Sequence, residues 1–221
     1  MRKVTKVVFL CLTLLIPVLI YLFLQGFGEN KFVIPVYYES GVESSFEGCN
    51  FETGRQHFIP NFSFEDQNGK KVDQSSLEDY ITVVDFFFTA CPDICPIMSN
   101  QMSRVQNTFS DNQNIQLLSL TVDPEHDTQE VLKTYAEQFY ANPGQWHFLT
   151  GAKKDIYQLA RCGFVLPVVD GDGGDGDFIH SNKLVLVDKE RRIRGYYDGT
   201  DQKDVDRLVV EINILLKEYG L

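Results

Sequence analysis

The chain has 221 residues, enough at ~150 per domain for one domain and an appendage. Hydrophobic residues make up 43% and charged residues 23%, which excludes wholesale disorder. Twenty basic against 31 acidic residues give a formal charge of −11, which excludes a binder of nucleic-acid phosphate backbone. Five cysteines are too few and too scattered for a small disulfide scaffold, but they suffice for a metal or redox site.

Val7 to Leu24 carries no charge, and the apolar run extends to Phe27. At ~1.5 Å per residue this spans a ~30 Å hydrocarbon core. Arg2, Lys3 and Lys6 precede it and Glu29 is the first charge after it, so the positive-inside rule keeps the amino terminus in the cytoplasm and exports the rest. Leu22-Phe23-Leu24-Gln25 lacks the small residues of a signal-peptide cut. Phe9 and Leu10 are too bulky for lipoprotein processing at Cys11. The expected organisation is a cytoplasmic terminus at 1–6, a transmembrane anchor at 7–27, a tether and irregular lead-in at 28–60, and an exported domain at 61–221. The lack of an Arg/Ser-rich transit segment points to a bacterial inner membrane. Without residues 1–30, which hold three basic residues and one acidic, the formal charge is −13. Cys49, Cys91, Cys95 and Cys162 then face an oxidising compartment, so each must be paired, bound to metal or kept reduced by a partner.

In chain order, a short strand is expected at Phe32–Tyr38, then Phe62–Glu65 and Lys70–Val72 flanking Asn68-Gly69, a hairpin signal. Ser75 or Ser76 caps a helical turn reaching Tyr80. Ile81–Phe88 and Ile115–Val122 read as strands buried on both faces. A helix follows Cys95 to about Phe109. Asp127-x-x-Glu130 resembles a capping box opening a helix to about Tyr140. Trp146–Leu149 is a strand and Lys153–Cys162 a helix. Phe164–Val169, Lys183–Val187 and Ile193–Tyr197 are strands, and Asp201–Tyr219 is an amphipathic helix. This order implies an α/β sandwich with helices on both faces of a central sheet. The Asp/Gly run 170–177 lacks EF-hand spacing and reads as a hairpin tip rather than a calcium loop.

Cys91 and Cys95 straddle a strand-to-helix junction. A helix starting near Asp93 brings both sulfurs to one side of its first turn, where unpaired N–H groups favour thiolate. Pro92 and Pro96 are tolerated at a helix start. The expectation is two exposed thiolates in want of a third ligand. Of His57, His126, His147 and His180, the last stands at a loop end just before the buried strand Leu184–Val187. Loops at such strand ends meet where helix amino termini gather. Two thiolates and an imidazole suit copper, whereas structural zinc wants four ligands in two close pairs. Met98 and Met102 fit the core better than a thioether site. Asp93 and Asp123 fit a helix start and a turn.

The stretch Phe88-Thr89-Ala90-Cys91-Pro92-Asp93-Ile94-Cys95-Pro96, then Ser119–Glu125, then His180-Ser181 before Leu186-Val187-Asp188, resembles the Sco/SenC family of copper-delivering cytochrome c oxidase assembly factors. The likeness runs from about Phe62 to Tyr219. It implies a thioredoxin-like fold behind the transmembrane helix and one copper, Cu(I) or Cu(II), held by Cys91, Cys95 and His180. It also implies work on the oxidase subunit carrying CuA, by giving it copper or reducing its cysteines, with a copper donor or a thiol reductant as a further partner. A three-residue spacer and Asn182, near where a thioredoxin carries its cis-proline, set the chain apart from general reductases. The alternative is a membrane-tethered thiol–disulfide oxidoreductase, for which Cys91 and Cys95 are the redox pair and His180 is dispensable. A peroxidase is disfavoured because no Arg or Lys flanks the motif. Cys49 and Cys162 match no motif of the family; either they pair or Cys162 is a small buried residue of its helix.

Overall fold

The computed structural model describes residues 2–27, 32–43, 48–52, 54–166 and 181–221. It divides into two units, residues 1–33 and 34–221. The first is helix α1, Arg2–Phe27, whose described side chains are exposed. Thr13 returns its hydroxyl to the carbonyls of Phe9 and Leu10, so no polar group on its apolar surface goes unpaired at that position. Among the described residues it is the one helix long and apolar enough to cross a membrane.

The second unit is built on a seven-stranded mixed sheet. Strands β1 (Ser63–Asp66) and β2 (Lys71–Asp73) form the expected hairpin. Gly69 takes φ +76° in its turn, and the Asp66 carboxylate accepts from the backbone N–H of Asn68 and Lys70. A short helix, α2 (Ser75–Asp79), leads to β3 (Ile81–Phe87). Next come α3 (Ile94–Thr108), β4 (Ile115–Thr121), α4 (Gln129–Gln138), β5 (Trp146–Thr150) and α5 (Lys153–Gln158). A π-helical turn, Leu159–Gly163, continues α5, and β6 (Lys183–Val187), β7 (Ile193–Asp198) and α6 (Gln202–Glu218) complete the chain.

The strand order is β2-β1-β5-β4-β3-β6-β7, with β3, β4 and β5 parallel and the outer pairs antiparallel. Every residue of β3 and β4 is buried, as their continuous apolar runs require of central strands. Successive side chains of β3 serve opposite layers: Phe86 meets Phe164 beyond α5, while Phe87 meets Tyr135 of α4. Ser99 of α3 hydrogen-bonds Tyr135, and Arg104 of α3 pairs with Asp206 of α6 at 2.7 Å, so α3, α4 and α6 cover one face. This is the thioredoxin-like sandwich with helices on both faces.

Local expectations change in four places. Phe32–Tyr38 is not a strand; from Ile34 on it is a docked, irregular segment, with Tyr37 N–H donating to the Ile193 carbonyl and Tyr38 at φ 59°. Its anchor is Arg194, fully buried, whose guanidinium donates to the Ile34 carbonyl at 2.8 Å and pairs with Asp188 at 3.0 Å and Glu218 at 2.8 Å. Ser75 does not cap α2, because its hydroxyl donates to the Asp73 carboxylate. Thr128, not Asp127, caps α4, its hydroxyl accepting from Val131 N–H at 3.4 Å. Finally, Phe164–Leu166 is a buried turn rather than a strand: Val165 sits at φ 51°, Leu166 N–H reaches the Ala160 carbonyl, and the Tyr196 hydroxyl donates to the Phe164 carbonyl at 2.8 Å. The rest of that expected strand, and the Asp/Gly run 170–177, lie outside the described residues.

Candidate metal centre

Cys91 and Cys95 stand where β3 gives way to α3, at the carboxyl end of the parallel strands. The apolar run of β3 ends in a tight turn, Phe88–Cys91, closed by Cys91 N–H to the Phe88 carbonyl at 3.3 Å. Asp93 is the N-cap of α3, but its side chain accepts none of the helix's first N–H groups. Those groups serve a sulfur instead. Burial pushes the Cys91 thiol up, yet the backbone N–H groups of Cys95, Asp93 and Ile94 and the thiol of Cys95 outweigh it and hold Cys91 below the ordinary thiol range. Cys95 moves the other way. Burial pushes it far up, and the neighbouring Cys91 and the more distant Asp85 add to the push.

The expectation of two exposed thiolates is therefore corrected. Both cysteines are free thiols and both are buried, Cys91 at 6% and Cys95 at 3% exposure. Their environments differ enough to shift them in opposite directions, Cys91 toward the thiolate and Cys95 away from it. The physical reason is position along the helix: Cys91 lies ahead of the first turn and collects its N–H groups, while Cys95 lies within it, against the sheet.

Met98 and Met102, later on the same helix, are fully buried core residues. Asp93 is exposed, and Asp123 shapes a turn in which its carbonyl accepts from His126 and Asp127 N–H. His57 donates to the Gly163 carbonyl at 2.7 Å, and His147 in β5 lies 3.1 Å from the Asp66 carboxylate, so both have structural work. His126 faces solvent, and its Nδ1 lies 2.9 Å from Asp127. His180 lies outside the described residues. Ser181, next in the chain, is buried, and the antiparallel pairing Thr82↔Val187 and Val84↔Val185 runs the start of β6 toward the end of β3 that leads to Cys91. Among the described residues no three His, Cys, Asp or Glu side chains converge as a metal site.

Two buried carboxylates near this end of the sheet escape sequence reasoning. Asp85 is the only acidic residue in the apolar run Ile81–Phe88, and that isolation is the signal that could find it. One of its oxygens accepts from Ser119 at 2.5 Å, and Ser119 in turn accepts from the Trp146 indole at 2.9 Å. Its other oxygen is buried with no hydrogen-bond partner among the described residues. Burial pushes Asp85 up to about 7, against the Ser119 bond. Asp127 is the second, fully buried and bonded to both threonines at the neighbouring strand ends.

Away from this centre, Cys49 and Cys162 form a disulfide with a Cα–Cα distance of 5.3 Å across 113 residues of chain. It fastens the lead-in to the π-helical turn, to which His57 is also bonded through Gly163.

A protein-family model for SCO1/SenC matches residues 51–216. The SCO1 protein homolog of Bacillus subtilis strain 168 is 29% identical over 196 residues, covering 88% of this chain and 91% of that protein. Among solved structures, BsSco, described as a member of the Sco family of cytochrome c oxidase assembly proteins with a disulfide switch, is 29% identical with a TM-score of 0.63, covering 71% of this chain and 92% of the other. Arabidopsis thaliana ScoI with copper bound is 26% identical with a TM-score of 0.60, covering 73% and 99%.

Proposed function

Because the chain belongs to the SCO1/SenC family, we propose that it binds one copper ion through Cys91, Cys95 and His180 and serves the CuA centre of cytochrome c oxidase, by delivering copper or by reducing the thiols that receive it. The observation that supports this most is the asymmetric sulfur pair: Cys91, its thiol held below the ordinary range at the start of α3, with the Cys95 thiol hydrogen-bonded to it and pushed the other way. Soft sulfur donors fit Cu(I), and a neutral imidazole from His180 supplies the third position and accepts Cu(II). Capture of Cu(I) by two thiolates releases thiol protons, so affinity falls in acid. Three ligands leave an edge of the metal open to an acceptor's cysteines, and exchange of ligands moves copper without releasing it. Residues 7–27 act as the anchor, with 1–6 in the cytoplasm and 61–221 on the outer side of the inner membrane. Anchoring raises the local concentration beside an integral oxidase. Copper comes to the site from a donor protein, and electrons from a thiol reductant.

A second reading is favoured by the same asymmetry. Cys91 thiolate attacks a partner disulfide and forms a mixed disulfide, expelling one partner thiolate. Cys95 then loses its proton and attacks the Cys91 sulfur, releasing the second partner thiolate and leaving a Cys91–Cys95 disulfide. Two electrons pass to the partner.

The test is titration of the reduced full chain, in detergent, with Cu(I) against a competing chelator. One tightly held copper per chain is expected, with Cys91→Ala, Cys95→Ala and His180→Ala each weakening it by about a hundredfold or more. Indifference to His180, with ready cycling against a disulfide substrate, would sink the copper reading and leave the reductase.

A further inference from the structure

Asp127 immediately precedes the N-cap of α4 but takes no part in capping that helix. Its fully buried carboxylate turns back to the sheet. One oxygen accepts from Thr89 N–H at 3.1 Å and from the Thr121 hydroxyl at 2.5 Å. The other accepts from the Thr89 hydroxyl and faces His126 Nδ1 at 2.9 Å. Thr121 ends β4, and Thr89 is the second residue of the Phe88–Cys91 turn.

A buried carboxylate is costly to desolvate unless its donors are well placed. Here two of the four donors come from one residue, Thr89, through backbone and side chain together. That pair of bonds fixes both the Phe88–Thr89 peptide unit and the Thr89 side chain, just ahead of Ala90 and Cys91. Neither the helix cap nor the strand pairing needs them, since Thr128 caps α4 and β3 is paired along its length.

We propose that Asp127 is a positioning residue for Cys91, acting through Thr89 to hold the Phe88–Cys91 turn and with it the place of the Cys91 sulfur ahead of α3. The inference rests on the copper reading for the purpose of the thiolate, but not for the geometry that makes it. Loosening Thr89 lets the turn, and the Cys91 sulfur at its end, shift while the rest of the sheet stays intact. Thr121 shares the carboxylate but not the turn, and so supplies the control.

The experiment measures the rate at which iodoacetamide alkylates Cys91 in the reduced full chain at pH 7, resolved from the other cysteines by peptide mass spectrometry, with a melting curve for each variant. Thr89→Val and Asp127→Asn are expected to slow Cys91 about tenfold, the scale of one charge-assisted hydrogen bond. Thr89→Ser restores the hydroxyl and is expected to stay within about twofold of wild type, as is Thr121→Val. If Asp127→Asn fails to fold, the Thr89→Val and Thr89→Ser pair decides. An unchanged rate in Thr89→Val, or equal slowing in Thr121→Val, overturns the proposal, the second because it would make Asp127 a general brace. No copper enters this measurement, so weak copper binding by the wild type with the alkylation pattern intact would sink the copper reading alone.

Discussion

The domain holds two cysteine pairs that differ in almost every physical respect. Cys91 and Cys95 are four residues apart, free and buried at the start of a helix; Cys49 and Cys162 are 113 residues apart and joined. In the near pair the helix's N–H groups separate the two sulfurs in acidity, so their value is chemical. In the far pair the bond closes a long loop, and its value lies in what it denies the unfolded chain. Chemistry that needs both sulfurs free and stability that needs both sulfurs bound are thus assigned to different cysteine pairs of one fold.

The largest effect that tests this division is loss of the far pair. A closed loop of this length is worth about 4–5 kcal/mol in the chain-entropy account. Cys49→Ser with Cys162→Ser is expected to lower the melting temperature by roughly 10 °C or more while the chain still binds one copper. A melting point unmoved by the double change would show that the lead-in is held by its other contacts, those to Arg194, Ile193 and Gly163 among them. Loss of copper binding in a still-folded variant would show that the two pairs are not separate.

Asp85 gives the next effect, beneath the near pair. Its pKa is raised by burial from 3.8 to about 7, so the folded state holds a proton that the unfolded state has lost. Stability from this group is therefore greatest below about pH 4, falls as pH rises to about 7 and is flat above, a total of up to about 4 kcal/mol. Asp85→Asn removes that slope. Urea unfolding of wild type and variant at pH 5 and pH 8 is expected to show the wild type losing more stability between the two; parallel losses would mean that Asp85 titrates normally.

How far these features can be read from sequence follows from how local they are. The hairpin at Asn68-Gly69, the buried runs of β3 and β4 and the cysteine spacing at a strand-to-helix junction are all set by neighbours in the chain, and all are legible. The Asp127-x-x-Glu130 pattern misleads because the carboxylate has better donors 38 residues back, at Thr89, than in its own helix. Phe164–Leu166 has strand composition, but its partners are Ala160 and Tyr196, which turn it. The Cys49–Cys162 pairing and the burial of both near thiols depend on folding of distant segments, and no spacing announces either.

Within the near pair, Cys91 is expected to be alkylated faster than Cys95 at pH 7 by on the order of a hundredfold. The cause is the helix start: it stabilises one thiolate, and burial suppresses the other. Equal rates would mean that the two sulfurs share their proton evenly and that neither is set up to attack first. The order of the two steps in the reductase scheme would then be lost.

The smallest effect is at His126, the solvent end of the contacts that run through Asp127 to Thr89. The hydrogen bond to Asp127, its charge and that of Asp123 together raise the imidazole above the ordinary 6.5. A folded pKa above the unfolded one means that the protonated ring stabilises the fold below the unfolded value, and that this contribution disappears as pH rises through the folded one. The ring is 58% exposed, so screening keeps the effect small and salt-sensitive. An NMR titration of the His126 ring protons is expected to give a midpoint above 6.5 that falls toward it as salt is added. A midpoint at or below 6.5 in low salt would mean that His126 does not engage Asp127 in solution, and that the carboxylate's grip on Thr89 is maintained without it.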